Sequence, residues 1–115
     1  MNASLPDAIM KAMQSHRGRD RAIPRADLLF QLQARFMDLQ DRQLRECYAE
    51  LPVCSSASAP HGLWLPANRE EVDAFLSEYR CHVAPVRAVA RRLAIFKRAY
   101  HEFYPEDDRQ RGLFT

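Results

Sequence analysis

The chain has 115 residues, 47% of them hydrophobic, which suffices for one globular domain with a modest core and is too short for a large cofactor-binding fold. The formal net charge of +2 at pH 7 excludes the strongly basic composition of a histone-like protein. Local charge is uneven, because residues 11–45 hold eight basic and four acidic side chains, and residues 79–101 hold six basic and no acidic ones. Any nucleic-acid contact is therefore expected from local basic patches.

The three cysteines, Cys47, Cys54 and Cys81, are irregularly spaced, which argues against a disulfide framework and favours a reducing cytosol. We expect each of them to be a small core residue. The N-terminus has no charged start followed by an apolar run, and no segment approaches about 18 uninterrupted apolar residues. The sequence predicts a cytoplasmic protein that does not enter a membrane.

The first third of the chain predicts two helices joined by a basic link. The first helix covers about 6–16, with Ser4 as its N-cap. A polar link over 17–22 leads to Ile23, for which we expect one short strand, and Pro24 begins the second helix. The turn over 34–40 is expected to bury three side chains, those of Phe36, Met37 and Leu39.

A third helix is predicted from Asp41 until Pro52 stops it, and it is followed by a hairpin. An apolar stripe recurs at three-and-four spacing and is formed by Leu44, Cys47, Tyr48 and Leu51. The opposite face carries Arg42, Arg45 and Glu46. Two short β-compatible runs, 53–56 and 63–65, flank a turn rich in small residues, proline and glycine. A helix followed directly by a hairpin is typical of the nucleic-acid-binding half of a winged helix.

The C-terminal part predicts a long helical region. Asn68 with Glu71 resembles a capping box, and apolar residues then recur at helical spacing as far as Phe103. Pro85 should break or kink this run, which gives two helices of about 69–82 and 85–103. The predicted fold class is mainly α with a small β-hairpin (α+β), in three parts. These are a winged helix-turn-helix domain over 1–67, a helical extension over 68–104 and a flexible acidic tail over 105–115.

Four segments together resemble small winged-helix DNA-binding proteins of bacterial phages and prophages. In chain order they read AIPRADLL, DRQLRECYAEL, PVCSS and GLWLPANREEVDAFLSEYR, and the resemblance spans about residues 6–80. In that family a DR-x-x-RE helix, here Asp41, Arg42, Arg45 and Glu46, precedes a short strand and is taken as the DNA-reading helix. This chain departs from the pattern by a longer, proline-containing wing turn and by Leu63-Trp64 where two aromatic residues commonly follow the glycine.

The candidate DNA contacts fall into two groups. Base readout is assigned to the exposed face of the third helix, because arginine pairs with guanine and glutamine with adenine in the major groove: Arg42, Gln43, Arg45 and Glu46. Phosphate contacts are assigned to the basic link, the second helix and the wing: Arg17, Arg19, Arg21, Arg25, Ser56, Ser58 and His61. The wing between Ser55 and Pro66 contains no Lys or Arg. The alternative for the helix face is an ordinary solvated surface.

Trp64 alternates with Leu63 and Leu65 on the second hairpin strand. Burial of the two leucines would expose Trp64, which could then stack on a base or fill a partner's pocket. The alternative is that Trp64 covers the apolar edge between the wing and the first long C-terminal helix.

The last residues carry a separate signal, the peptide QRGLF. Its Gln110, Leu113 and Phe114 resemble the Q-x-x-L-F peptide by which bacterial proteins dock on the DNA-polymerase sliding clamp. The alternative is that Leu113 and Phe114 fold back on the chain's own long helix.

Five basic residues lie on the last helix: Arg87, Arg91, Arg92, Lys97 and Arg98. Such a run is usually a solvated face. The alternatives are a second phosphate-contacting surface, or the charged flank of a homodimer seam within residues 83–103. That seam would contain Val83, Val86, Ala90, Leu93 and Tyr100.

The sequence gives little support for catalysis. Its histidines and cysteines lack metal-ligand spacing, and it contains neither a glycine-rich phosphate loop nor a nucleophile-elbow motif. We therefore expect no enzyme activity, metal, cofactor or small-molecule substrate. The predicted function is sequence-specific binding of double-stranded DNA in transcription regulation or replication control. The alternative is a protein-interaction adaptor that docks a partner through its C-terminal helix and tail.

Overall fold

The computed structural model describes residues 4–56, 61–82 and 85–106 and is mainly helical with one small sheet. The helices are α1 (Leu5–Ala12), α2 (Arg25–Gln33), α3 (Asp41–Tyr48), α4 (Arg69–His82) and α5 (Val86–Ala99). The strands are β1 (Ile23–Pro24), β2 (Cys54–Ser55) and β3 (Gly62–Trp64), and short 3₁₀ turns occur at Met13–Ser15, Arg19–Arg21 and His101–Phe103. None of the described helices combines the length and apolarity needed to cross a lipid bilayer.

The sheet is antiparallel with the strand order β1-β3-β2. Ile23 lies opposite Leu63, and Cys54 lies opposite Trp64. The predicted strand at Ile23 and the predicted hairpin are thereby confirmed, although β2 is shorter than the segment 53–56. The hairpin formed by β2 and β3 therefore connects two helices. Strand β3 pairs with β1, which precedes α2, and strand β2 follows α3.

Local caps set the helix boundaries as the sequence predicts. The backbone N–H of Asp7 donates to Ser4 Oγ (3.3 Å), and that of Glu71 donates to Asn68 Oδ1 (3.0 Å). The Glu71 carboxylate accepts the backbone N–H of Ala67 (3.2 Å) and also that of Arg19 (3.3 Å). The start of α4 is thus tied to the basic link that precedes β1.

Two hydrophobic clusters cover the two faces of the sheet. The first joins α1, α2 and α3 and includes Leu63 and Leu65, which are 1% and 0% exposed. The second joins α4 and α5 and includes Cys54, Phe75 and Trp64, the last of which is 2% exposed. The expectation that burial of Leu63 and Leu65 exposes Trp64 is wrong, because α4 and α5 cover the face to which Trp64 points. The alternative, that Trp64 packs between the hairpin and the first long C-terminal helix, is confirmed.

Two predicted core residues lie on the surface. Met37 is 84% exposed, whereas Leu39 in the same turn is buried and Phe36 is half-buried. The core side of the turn is held by a hydrogen bond from Gln33 Nε2 to the carbonyl of Leu39 (2.9 Å). Met37 lies on the solvent side of the turn. Cys81 is exposed near the end of α4, so it is not a core residue.

The predicted break at Pro85 is confirmed. Helix α4 ends at His82, Pro85 has the extended angles φ −65 and ψ 158, and α5 begins at Val86. Helix α5 ends at Ala99 rather than near 103. Two residues of the expected homodimer seam are used within the chain, because Tyr100 is buried in the second cluster and Leu93 packs against that cluster. Val86 is 75% exposed, and Val83 lies outside the described residues.

Gly18 is required by its backbone conformation. Its φ is +96, its N–H donates to the carbonyl of Leu65 (2.7 Å), and an added Cβ would lie 2.7 Å from Asp20 Oδ1. We expect Gly18→Ala to lower the free energy of unfolding by about 1 to 3 kcal/mol, because L-residues rarely adopt this conformation. Urea denaturation followed by circular dichroism measures the loss. Gly62→Ala is a control without a positive φ. An added Cβ there would lie 3.2 Å from Ala22 Cβ, so we expect a smaller loss from crowding, and a larger loss than in Gly18→Ala would contradict the backbone explanation.

Candidate nucleic-acid interface

Helix α3 presents a charged face to solvent. Its apolar side is held in the first cluster by Leu44, which is fully buried, and by Tyr48, which is 8% exposed. On the other side the side chains of Arg42, Arg45 and Glu46 are 80%, 52% and 65% exposed. The amphipathic pattern read from the sequence is confirmed, and these three residues share one face.

Arg42 is oriented by its neighbour one turn later. Its Nε donates to Glu46 Oε1 at 3.0 Å, an i,i+4 ion pair. At this exposure the pair contributes less than about 1 kcal/mol to stability. Because the contact runs through Nε, the two terminal Nη groups remain available to another acceptor.

Asp41 holds two arginines from different helices, an arrangement that we call the Asp41 bridge. Its Oδ1 accepts a hydrogen bond from Arg25 Nε on α2 at 2.9 Å, and its Oδ2 forms an ion pair with Arg45 Nε on α3 at 3.1 Å. Both contacts again run through Nε. The bridge therefore places two guanidinium groups side by side with their terminal donors available. The sequence places Arg25 and Arg45 in separate groups and names Asp41 only as part of the DR-x-x-RE motif. The i,i+4 spacing from Asp41 to Arg45 indicates one of the two contacts of the bridge.

Gln43 is not part of the Asp41 bridge. Its Oε1 accepts the backbone N–H of Gln40 at 2.9 Å and so caps the N-terminus of α3. The side chain lines a shallow pocket together with Phe36 and Met37, beside the turn between α2 and α3. The structure thus separates Gln43 from the other three residues assigned to base readout.

The described part of the hairpin adjoins α2 and α3. Ser56 Oγ accepts the backbone N–H of Gly62 at 2.8 Å, and the carbonyl of His61 accepts the backbone N–H of Arg25 at 2.9 Å. Ser56, His61, Arg25 and Arg45 line one cavity of about 350 Å³. The structure therefore brings together four of the predicted contact residues, whereas Ser58 lies outside the described residues.

The arginines of the basic link do not line this cavity. Arg17 donates from Nη1 to the carbonyl of Pro66 (3.2 Å) and lies over the ring of Tyr100. Arg19 pairs with Glu78 (3.0 Å) and lies over Trp64. Arg21 is exposed and makes no ion pair with any residue that the structure describes. The four arginines predicted to bind phosphate are thus divided, and Arg25 is the member placed beside α3.

Arg92 is a buried residue that sequence reasoning missed. It is 5% exposed, and its guanidinium donates to the backbone carbonyls of Tyr48 (3.1 Å), Ala49 and Val53 (3.4 Å). Two of these carbonyls lie at the C-terminal end of α3, where a cation also complements the helix dipole. The guanidinium also lies over two aromatic rings of α4. Burial lowers the pKa of Arg92, but a guanidinium keeps its proton in proteins.

The expectation of a solvated basic face on α5 is therefore wrong for Arg92. Arg87 and Arg98 are exposed, and Arg91 pairs with Glu50 at 2.6 Å with 69% of its side chain exposed. Lys97 is half-buried above the ring of Tyr104. Helical spacing could have indicated that Arg92 is buried. Arg92 lies three residues after Val89 and four before Phe96, and both of these pack in the second cluster.

Metal-ligand side chains do not converge anywhere in the ranges 4–56, 61–82 and 85–106, where no group of three or more His, Cys, Asp or Glu residues could hold an ion. Cys54 lies in the second cluster, and burial raises the pKa of its thiol. A thiol with a raised pKa is a poor nucleophile at neutral pH.

Comparisons with known proteins find no matching family model, no similar curated protein and no similar solved structure.

Proposed function

We propose that this chain is a winged-helix protein of the phage type that binds double-stranded DNA, with α3 as its reading helix. The element order α1, β1, α2, α3, β2, β3 and the strand order β1-β3-β2 support the winged-helix proposal. In such a protein the first two helices and the sheet hold the third helix against the major groove. The activity proposed is binding in transcription regulation or replication control, not catalysis.

One observation carries the proposal, namely the exposed arginine face of α3. Arg42 and Arg45 are both held through Nε by carboxylates of their own helix, Glu46 and Asp41. Arginine recognises guanine through two parallel donors, and an ion pair through Nε favours a side-chain orientation in which these donors are available. The C-terminal end of α3 is occupied by Arg92, so the part proposed to enter a groove is the exposed face over 41–46.

Phosphate contacts are proposed for the groups that flank this face. Arg25 on α2 shares Asp41 with Arg45, and Ser56 and His61 line the same cavity as both arginines. A DNA backbone that crosses this side of α3 would meet all of these donors. Gln43 is omitted from the proposed base contacts because its amide oxygen caps the helix.

Salt dependence tests the proposal. We expect fluorescence anisotropy with a random 20-base-pair duplex to show binding at 50 mM salt that weakens steeply by 200 mM. The slope in log K against log salt should be about −3, because Arg25, Arg42 and Arg45 can each neutralise one phosphate of an unselected duplex. Arg25→Gln should reduce the slope by about 1. The control is Arg98→Gln, which changes an exposed arginine on α5 and should leave the slope unchanged. Absence of measurable binding at 50 mM salt would contradict the proposal.

A second candidate function is the protein-interaction adaptor. It is favoured by the exposure of large apolar side chains, among which Val86 on α5 is 75% exposed and Phe30 on α2 is 80% exposed. The proposed clamp-binding residues Gln110, Leu113 and Phe114 lie outside the described residues. In the same duplex titration an adaptor should bind weakly at every salt concentration.

A further inference from the structure

A cavity of about 350 Å³ lies where the end of α3, strand β2 and helix α4 meet. Its size is within the range of about 300 to 1,000 Å³ that is usual for small-molecule sites. We propose that this cavity binds a small organic anion, in which one phosphate or carboxylate group is attached to an apolar body of about one ring.

The anionic group is argued from the charge of the lining. Arg25 and Arg45 both line the cavity, and the Asp41 bridge holds each of them through Nε, which leaves their terminal Nη donors for a ligand. Ser56 and His61 add further polar groups. Paired guanidinium forks match the geometry of carboxylate and phosphate oxygens.

The acidic group in the lining does not cancel this preference. Glu78 is the carboxylate that lines the cavity, and it is already paired with Arg19 at 3.0 Å. The described lining therefore favours an anion over a cation or a neutral polar ligand.

Arg92 contributes a third positive charge to the lining. Arg92 lines the cavity and is 5% exposed, and its Nε has no hydrogen-bond partner among the described residues, although its Nη groups bind backbone carbonyls. The Nε atom is enclosed, so Arg92 acts on a ligand through its positive charge, which adds to that of Arg25 and Arg45 in the lining.

The apolar body is argued from the aromatic lining. Tyr48, Phe75 and Tyr79 contribute to the wall, and the last two stack on each other with ring centroids 5.7 Å apart. Rings provide rigid apolar surface for a flat ligand. Charge and rings together define the ligand class, since inorganic phosphate lacks the apolar part and a neutral phenol lacks the charge.

One consequence rests on the proposed DNA-binding function. Arg25 and Arg45 are shared between the cavity and the proposed DNA surface. An anion that engages both arginines would compete with a duplex for them. The ligand would therefore act as an effector that releases DNA.

The test uses phenyl phosphate as the probe, titrated calorimetrically into the full chain in phosphate-free buffer without DNA. We expect phenyl phosphate to bind about tenfold more tightly than either inorganic phosphate or phenol. Arg25→Gln should weaken the binding of phenyl phosphate severalfold. His61→Ala, a second variant that leaves the Asp41 bridge intact, should also weaken it severalfold. Equal affinity for the three probes, or no binding of phenyl phosphate, would overturn the proposed site.

Matched controls separate this site from the DNA surface. Arg42→Gln changes an α3 arginine outside the cavity, and Arg21→Gln changes an exposed arginine of the link, so both should keep full affinity for phenyl phosphate. The same loss in these controls as in Arg25→Gln would indicate general charge attraction and overturn the site. In a duplex titration, saturating phenyl phosphate should raise the apparent Kd for DNA. An unchanged Kd for DNA would overturn the proposed competition. The existence of the anion site is decided separately by the calorimetric titration.

Discussion

Replacing Arg92 by Met should lower the free energy of unfolding by about 2 to 4 kcal/mol. Met retains the apolar stem, so the change removes mainly the guanidinium and its hydrogen bonds. The carbonyls of Tyr48, Ala49 and Val53 would lose their donor at the junction of α3, β2 and α5. The contact of the cation with the rings of α4 would be lost as well. Urea denaturation followed by far-ultraviolet circular dichroism measures the difference.

Arg91→Met is the matched control on the neighbouring residue. Arg91 is largely exposed and its pair with Glu50 lies at the surface, so its loss should cost less than about 1 kcal/mol. Losses of the same size in the two variants would contradict the view that Arg92 joins α3 to the C-terminal helices. A third variant, Arg92→Lys, keeps the charge but not the planar fork, and we expect it to recover only part of the stability.

The local elements of this fold are readable from the sequence because local chemistry determines them. Ser4 and Asn68 cap α1 and α4 as their residue types predict, and Pro85 breaks the C-terminal run. The stripe of Leu44 and Tyr48 gives α3 both its position and its buried face. Each of these signals acts over a few residues of chain, so no tertiary partner is needed to interpret it.

Burial of both faces of the sheet could not be deduced in the same way. The alternation at Leu63, Trp64 and Leu65 places Trp64 on the opposite face from the two leucines, but it does not indicate whether another layer covers that face. Helices α4 and α5 provide the layer, and they follow β3 along the chain. Met37 illustrates the converse case, in which an apolar residue lies on the outside of a turn whose inner side is already closed by Leu39.

The residues of the candidate site were predictable only in part, and their connections were not. The exposed face with Arg42, Arg45 and Glu46 follows from helical periodicity, and the structure confirms it. The contact of Asp41 with Arg25 joins residues of two helices 16 positions apart, and the contacts of Arg92 with α3 span more than 40 positions. Such pairings depend on how the helices pack, which a charge pattern on one helix does not contain.

Replacing both Arg42 and Arg45 by Ala should abolish most of the sequence-specific binding of DNA. A bidentate contact to guanine contributes about 1 to 3 kcal/mol, so the double variant should bind a duplex selected from a random pool at least about 30-fold more weakly. Fluorescence anisotropy at 150 mM salt measures the Kd of each protein. Affinity for an unselected duplex should fall less, because that binding depends on phosphate contacts that Arg25 still makes.

The double variant should remain folded, which makes its binding loss interpretable. Both arginines are more than half exposed, and Asp41 keeps its hydrogen bond to Arg25 when Arg45 is removed. The control replaces two exposed arginines away from α3, Arg87 and Arg98 on α5, and removes the same net charge. A similar loss in that control would mean that net charge rather than the α3 face governs binding. Unchanged affinity of the Arg42 and Arg45 variant for the selected duplex would exclude α3 as the reading helix, and the adaptor function would then be favoured.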